Sequence, residues 1–193
     1  MDLDRLKATV FERVTRPIEP KDAGLIAERL GLLPGHRVFE AGVGSGFLTA
    51  SLARIVYPEG EVVGVEIDGD RLERARRNLR RLGRVYEESV KLRRGDARKF
   101  LESEEDEFDA LVLDLPRPEE VLRVGLDRLG PGGKVAVFCP FYEQVRRVWE
   151  ALEDRCSWLE AVELIEREVR VEPRGTRPGR TRGHTGFLVF GRA

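Results

Sequence analysis

One stretch of the sequence, from Arg37 to Thr49, limits the possible fold more than any other. It joins an apolar, strand-like run to three alternating glycines, Gly42, Gly44 and Gly46, and then to a helix-like segment. Glycine tolerates a positive φ and has no Cβ, so the chain can turn tightly and leave backbone amides open to a ligand. The pattern predicts a nucleotide-type ligand at this turn, although alone it fits a tight strand-to-helix connection equally well.

The spacing of the glycines indicates which ligand to expect. A dinucleotide motif reads Gly-x-Gly-x-x-Gly, whereas here the third glycine comes one residue early, and Glu40 stands two residues before the first. A carboxylate there would repel a pyrophosphate, but it could help to orient a cationic or zwitterionic ligand. S-adenosylmethionine is a ligand of that kind.

Acidic residues end successive strand candidates along the chain. Glu66 ends the second apolar run, about twenty residues after the glycines, and could bind two ribose hydroxyls. Asp96 follows the third run and could accept a hydrogen bond from an adenine amino group. Ligands of a doubly wound sheet bind outside the carboxyl ends of the strands, so Glu40, Glu66 and Asp96 should converge on one crevice. Taken singly, each could instead be a helix N-cap or a loop carboxylate.

Strand and helix patterns alternate through the rest of the chain. The predicted helices span about residues 3–14, 22–32, 47–56, 70–82, 98–101, 119–129 and 142–152. The first predicted strand begins at residue 37, and the others span about residues 61–68, 89–94, 108–114, 134–140, 159–171 and 185–190. A proline-glycine-arginine loop, and no helix, joins the last two strands, so these should be antiparallel. The sequence therefore predicts a Rossmann-like α/β fold: a doubly wound, mostly parallel seven-stranded sheet with a C-terminal antiparallel hairpin.

Length and composition exclude several classes of protein. A chain of 193 residues, 41% of them hydrophobic, fits one domain over residues 1–193, with a helical lead-in over residues 1–33. The net charge of −1 by itself predicts neither nucleic-acid nor membrane binding. No apolar run reaches the roughly 18 residues of a spanning helix, and the N-terminus lacks the core of a signal peptide. We therefore expect a cytoplasmic protein with no membrane partner.

Cysteine and histidine are too few and too scattered to indicate a metal site. Cys139 and Cys156 fall in different predicted elements, which fits reduced thiols better than a disulfide framework. His36 and His184 are the only histidines, and neither has a second ligand candidate nearby in sequence. A charged fraction of 36%, with one asparagine and one glutamine, is typical of proteins from thermophiles.

A fourth carboxylate, Asp114, stands on a stiffened loop. It ends the fourth predicted strand, and Pro116 and Pro118 follow it. Prolines hold a loop in a fixed direction, which suits a preorganised contact with a substrate. The residue could instead cap the next helix.

Several motifs together identify a family. They are Pro20-Lys-Asp-Ala23, the glycine motif within Pro34–Thr49, Asp114-Leu-Pro-x-Pro118, Pro131-Gly-Gly, Pro140-x-x-x-Gln-Val145, Arg177-Pro178 and Gly183-His-Thr-Gly-Phe-Leu-Val-Phe190. From residue 15 to the C-terminus, the chain resembles the tRNA adenine-N1 methyltransferase family. The glycine motif is shared widely among methyltransferases, whereas the first and last motifs are much more specific.

The resemblance implies a class I methyltransferase that uses S-adenosylmethionine, methylates N1 of an adenine in tRNA and forms a homotetramer. It implies that Asp114 is the catalytic residue and overhangs the methyl group, in contact with the target adenine. The residues that it implies for cofactor binding are Glu40, Ala41, Gly42, Gly44, Ser45, Gly46, Phe47, Leu48, Glu66, Ile67, Asp96, Ala97 and Asp114. Adenine N1 has a lone pair that can attack a sulfonium methyl directly, so the enzyme needs mainly alignment and stabilisation of positive charge. N1 lies on the pairing edge, so the base must leave its stack.

Arginines surround the loop between the last two predicted strands, and no acidic residue lies between Pro173 and Ala193. Phosphates are the natural partner of such a segment, and we expect RNA binding by Arg177, Arg180, Arg182 and His184. The arginines could instead pair with nearby glutamates on a charged surface, and His184 could be a structural hydrogen-bonding residue.

The sequence departs from the family in several respects that affect substrate binding. Glu119 and Val169 stand where a tryptophan is usual and Phe138 where a tyrosine is common, and each could reshape the base pocket. Members usually carry a small N-terminal β-domain, yet fewer than about forty residues precede the glycine motif, so we expect a short form that holds RNA elsewhere. Two other functions stay open: a precorrin-type or other small-substrate methyltransferase, and an RNA-binding companion subunit without turnover. The Gly-His-Thr-Gly-Phe segment argues against the first, and the intact glycines and Asp114 argue against the second.

Overall fold

The structure is a computed structural model that describes residues 18–193. The predicted helix over residues 3–14 lies outside the described residues. The helices are α1 Pro20–Leu30, α2 Phe47–Val56, α3 Gly69–Leu82, α4 Arg84–Ser89, α5 Ala97–Ser103, α6 Pro118–Gly125 and α7 Tyr142–Leu152. The strands are β1 Arg37–Ala41, β2 Glu61–Glu66, β3 Val90–Arg94, β4 Phe108–Leu113, β5 Leu129–Cys139, β6 Trp158–Glu163, β7 Glu166–Glu172, β8 Gly175–Arg182 and β9 Phe187–Arg192.

Seven strands form the main sheet in the order β3-β2-β1-β4-β5-β9-β6. The pairs from β3 to β5 are parallel, and β9 is antiparallel to both β5 and β6. The predicted doubly wound, mostly parallel sheet with an antiparallel end is therefore confirmed. The chain order reverses beside β1, so the carboxyl ends of β1, β2 and β4 open side by side at one edge, where ligands of such folds bind.

Both faces of the sheet are covered, because its central strands are apolar on both sides. Val38 belongs to the core on one face, and Phe39, its neighbour in β1, belongs to the core on the other. On the first face, α3 contributes Leu72, Ala75 and Leu79, so its arginine-rich remainder points outward. Within residues 18–193 no helix is long and apolar enough to span a bilayer.

The predicted strand over residues 159–171 is wrong as a single element. β6 ends at Glu163 and stays in the main sheet, while β7 leaves it and pairs with β8 as a separate two-stranded sheet. A two-residue turn at Pro173 and Arg174 closes this hairpin, so the segment predicted as a loop is mostly strand. Local pairing across a short turn is reached more readily than an extension of the edge strand.

Smaller differences concern the ends of elements. The helix α4 was not expected, and the helix predicted over residues 119–129 ends at Gly125 and continues as a single 3₁₀ turn, Leu126–Arg128. The strand β5 begins at Leu129, earlier than predicted, and its pairing with β4 is irregular between Phe108 and Ala110. The glycines at 130, 132 and 133 fit that irregular start, since glycine in a strand commonly marks a bulge or bend.

Candidate functional site

A cleft of about 520 Å³ opens at the carboxyl ends of the parallel strands. Seven of the residues predicted from sequence for cofactor binding line it: Gly42, Gly44, Glu66, Ile67, Asp96, Ala97 and Asp114. They come from the ends of β1, β2, β3 and β4, so the topology brings together residues that lie 72 positions apart in the chain, from 42 to 114. Leu115, Pro116 and Phe138 line the same cleft on the β4 and β5 side.

The other six predicted cofactor residues lie beneath or behind the cleft wall. Ala41, Ser45, Phe47 and Leu48 are buried in the strand, the turn and the first turn of α2. Ser45 is held from below, because its carbonyl oxygen accepts a hydrogen bond from Asn78 Nδ2 at 3.0 Å. These residues shape the turn from inside the core.

The glycine turn depends on missing side chains at two positions. Gly42 has φ +90°, and a Cβ there would lie 2.8 Å from the carbonyl carbon of Asp114 and closer still to its oxygen. Gly46, another of the six, has φ +79° and precedes α2, where a Cβ would lie 3.3 Å from that of Ala75 on α3. Only glycine adopts this backbone without strain, so the turn can pack against both β4 and α3.

Glu66 holds the turn and borders the cleft at the same time. Its Oε2 accepts a hydrogen bond from the Gly44 amide at 3.0 Å, and its Oε1 accepts one from the Asp68 amide at 3.1 Å. The side chain is buried. A carboxylate fixed by two amides keeps its remaining lone pairs aimed in set directions, which suits recognition of a diol.

Asp96 combines a helix-capping role with a place in the cleft lining. Its Oδ1 accepts a hydrogen bond from the Lys99 amide at 3.0 Å and caps α5, and the residue also lines the cleft. The helix-cap alternative does not apply to Asp114, because α6 begins at Pro118 with Arg117 in the N-cap position. The fourth carboxylate is therefore available to the cleft.

Asp114 lies where the glycine turn meets the stiffened loop. Its amide donates to the Ala41 carbonyl at 2.9 Å, and Gln144 Nε2 donates to the carbonyl of the next residue, Leu115, at 2.8 Å. Burial, followed by the negative charge of Glu66, raises the pKa of Asp114 to about 6. The loop is thus fixed from two sides, and the pKa of its carboxyl group lies closer to neutral pH than that of an ordinary aspartate.

Glu40, the last of the six, is buried beneath the turn, at 1% exposure. Neither carboxyl oxygen has a hydrogen-bond partner among residues 18–193, and the same holds for the nearby hydroxyl of Thr49. Burial raises the pKa of Glu40 to about 8, and the negative charges of Asp114 and Glu66 add to the increase. Glu40 lies on the same face of β1 as Val38, and it is not among the residues that line the cleft.

The predicted RNA-binding residues fall into two places. Arg177 and Arg180 lie exposed on the β7–β8 hairpin, where Arg177 Nη2 donates to both carboxylate oxygens of Glu172 at 3.0 Å. The side chain of Arg182 lies outside the described part of the structure. His184 lies near the end of β5 instead, with Nδ1 2.8 Å from Glu163 Oε1 and Nε2 3.2 Å from the Pro140 carbonyl oxygen.

Three arginines at the cleft were missed from the sequence. Arg71, Arg98 and Arg117 line it, each in the first turn of a helix or just before one. Their position in or just before the first turn of a helix that follows a strand could have indicated the cleft. Within the described residues, no group of three or more histidine, cysteine or acidic side chains could hold a metal ion.

Comparisons with known proteins identify relatives across most of the chain. The family model described as "tRNA methyltransferase complex GCD14 subunit" matches residues 6–177. The tRNA (adenine(57)-N(1)/adenine(58)-N(1))-methyltransferase TrmI of Methanocaldococcus jannaschii is 32% identical over 216 residues, covering 98% of this chain and 74% of that protein. The tRNA (adenine(58)-N(1))-methyltransferase TrmI of Thermus thermophilus is 37% identical over 182 residues, covering 93% and 70%.

A solved structure agrees with these relatives. The tRNA (m1A58) methyltransferase TrmI of Aquifex aeolicus superposes with a TM-score of 0.87 at 31% identity, covering 100% of this chain and 76% of that one. The family model, the two curated relatives and this structure agree with the resemblance carried by the motifs. The chain therefore belongs to the tRNA (adenine-N1)-methyltransferase family.

Proposed function

We propose that this chain transfers a methyl group from S-adenosylmethionine to N1 of an adenine in tRNA. One observation carries the proposal: the Asp114 carboxyl group and the glycine turn line the same cleft and are joined by backbone contact. A methyl donor on the turn and an acceptor base against Asp114 would then be neighbours. Proximity of this kind is the main requirement of a direct displacement.

The residues of the cleft fit the cofactor. Gly42 and Gly44 offer bare backbone, Glu66 presents a fixed carboxylate for ribose hydroxyls, and Asp96 provides an acceptor for the adenine amino group. Glu40, beneath the turn, has a pKa raised to about 8, and a cation bound at the turn would favour its ionised form. When bound, S-adenosylmethionine supplies a methyl group activated by the positive charge of the sulfonium.

Asp114 aligns the acceptor in this proposal. Its carboxylate accepts a hydrogen bond from the adenine N6 amino group, which orients N1, and its charge offsets the positive charge that develops on the ring. The stiff loop holds it with little reorganisation, since Pro116 follows in the chain and Gln144 binds the Leu115 carbonyl. No proton needs to leave N1, so the site requires no general base.

The family, and the names of its relatives, favour tRNA over a small molecule such as a precorrin as the substrate. The exposed hairpin provides cations for phosphates, and Arg117 provides one at the mouth of the cleft. A companion subunit without turnover would not need the Asp114 loop or the fixed glycine turn.

We also propose a homo-oligomer, as the family resemblance implies, which light scattering would test.

Methyl transfer from labelled cofactor to unmodified total tRNA, followed by nucleoside mass spectrometry, tests the proposal. We expect 1-methyladenosine as the product and a loss of about 10²–10³ in rate for Asp114→Asn. Asp109→Asn is the matched control, since Asp109 lies at the opposite end of the same strand and binds the Arg37 amide. Label in another nucleoside would overturn the acceptor atom, and a fully active Asp114→Asn would remove Asp114 from the mechanism.

A further inference from the structure

A buried ionic cluster joins the two most specific sequence motifs. Lys21 Nζ donates to Asp22 Oδ1 at 2.6 Å and to Thr185 Oγ1 at 2.7 Å, and the Thr185 hydroxyl donates to Asp22 Oδ2 at 2.9 Å. The three side chains form a closed ring across more than 160 positions of sequence. Lys21 and Asp22 expose only 6% and 1% of their side chains.

The cluster also holds the chain where it leaves the main sheet. The third hydrogen bond of Lys21 Nζ goes to the carbonyl oxygen of Leu164 at 2.6 Å, one residue after β6. All three ammonium protons therefore have an acceptor. Leu164 precedes the β7–β8 hairpin and Thr185 follows it. The contacts of α1 with these two residues therefore fix both ends of the segment that lies outside the main sheet.

The segment Gly183–Phe187 connects this cluster to the cleft. Gly186 packs against the Phe138 ring so closely that a Cβ would lie 2.6 Å from its Cε2. Phe138 lines the cleft together with Asp114. His184, in the same segment, contacts the Pro140 carbonyl beyond the end of β5. The cluster is thus connected, through Gly186 beside Thr185, to Phe138 in the wall of the cleft that also contains Asp114.

Stability alone is a weak reason for such a cluster. A buried ion pair loses its hydration, and well-packed apolar side chains of similar volume often give equal or greater stability. Hydrogen bonds in fixed directions, by contrast, set the position of the segments that they join. A fully satisfied ring of three side chains specifies one placement of the Gly183–Phe187 segment.

We propose that Lys21, Asp22 and Thr185 are positioning residues that fix the Gly183–Phe187 segment against Phe138 and thereby set the wall facing the methyl acceptor. The inference rests on the proposed function for the identity of the acceptor. It assigns these residues no contact with the cofactor. Loosening the cluster therefore impairs use of the acceptor and leaves cofactor affinity intact.

Thr185→Val and Lys21→Met test the proposal. Thr185→Val keeps the shape and removes the hydroxyl, and Thr185→Ser restores it. Lys134→Met is the matched control, because Lys134 Nζ also donates to α1, to the Arg29 carbonyl at 3.0 Å, but at the opposite end of the helix. We expect kcat/KM for tRNA to fall about 10- to 100-fold in Thr185→Val and Lys21→Met. Cofactor Kd by calorimetry should stay within about twofold, and Thr185→Ser and Lys134→Met should behave as wild type.

Hydrogen exchange of the peptide over residues 183–190 provides a second readout that needs no tRNA. We expect faster exchange there in Thr185→Val and Lys21→Met than in Lys134→Met. Unchanged exchange, or an equal loss of cofactor and tRNA affinity, would overturn the positioning role. If the wild-type protein methylates no tRNA while the exchange result holds, the proposed function fails and the structural role of the cluster stands.

Discussion

Gly42 lies directly against the backbone of Asp114. A Cβ on Gly42 would stand 2.8 Å from the Asp114 carbonyl carbon, and the Asp114 amide donates to Ala41, the residue before the glycine. One backbone contact therefore joins the two parts of the proposed site. These are the turn that would bind the methyl donor and the residue whose carboxylate would face the acceptor. A shift of either must move the other, so the two halves of the reaction are held in register without a bridging side chain.

Gly42→Ala is predicted to abolish cofactor binding and to lower stability. The new methyl group would overlap Asp114, and alanine at φ +90° is strained as well. Gly83→Ala separates the two effects, because Gly83 has φ +102° and a Cβ there meets nothing within 4 Å. We expect Gly83→Ala to cost about 1–3 kcal/mol and to keep cofactor affinity. Denaturant unfolding and calorimetry measure both quantities, and equal behaviour of the two variants would disprove the importance of the contact.

The rate of methyl transfer should depend on the ionisation of Asp114. Its pKa is raised to about 6 by burial and by Glu66, and only the anion carries the negative charge that offsets the positive charge developing on the adenine ring. We therefore expect kcat/KM to be level above about pH 7 and to fall about tenfold per pH unit below pH 6. Asp114→Asn should be slow and flat over the same range. If kcat/KM of the wild-type enzyme did not fall below pH 6, the reaction would not depend on ionised Asp114.

The convergence of acidic residues at the cleft could be predicted because carboxyl ends of parallel strands meet at one edge. Glu66, Asp96 and Asp114 each end or follow a strand, and all three line the cleft. The position of Glu40 could not be predicted in the same way. Both faces of β1 are buried, so no polar alternation marks which side a residue faces, and Glu40 is buried without lining the cleft.

The β7–β8 hairpin and the Lys21 cluster were beyond sequence reasoning for a different reason. The alternation in residues 166–172 predicts a strand but not its partner, and glycine and proline at 175, 178 and 179 argue against a second strand. The contact of Lys21 with Thr185 depends on tertiary placement over 164 positions. The sequence indicated the cluster only through two specific motifs at opposite ends of the chain, and nothing in these motifs predicts that they lie close together in the fold.

Glu40 should make the free protein less stable as the pH rises. Its pKa is raised from 4.5 in the unfolded chain to about 8 by burial, so the folded state binds the proton more tightly. The stabilisation due to protonated Glu40 is fully present below about pH 4.5. It is lost between there and pH 8, where the free energy of unfolding falls by on the order of 1 kcal/mol per pH unit. Glu40→Gln cannot ionise, so its stability should change less over this range. Guanidinium unfolding at pH 5, 7 and 9 measures the difference, and parallel curves would contradict the prediction.

Arginines of the hairpin are predicted to bind tRNA phosphates. Each bound phosphate releases counterions, so log Kd varies with log salt concentration in proportion to the number of phosphates bound. We expect Arg177→Gln with Arg180→Gln to weaken binding and to lower that slope by about 1 for each phosphate that the variant no longer binds. Arg146→Gln is the matched control, because Arg146 is likewise exposed and paired with a glutamate, Glu150, at 2.8 Å, but on α7. The slope could stay unchanged in the double variant, or the control could lower it equally. Either result would show that the hairpin arginines form only surface ion pairs, such as that between Arg177 and Glu172, and bind no phosphate.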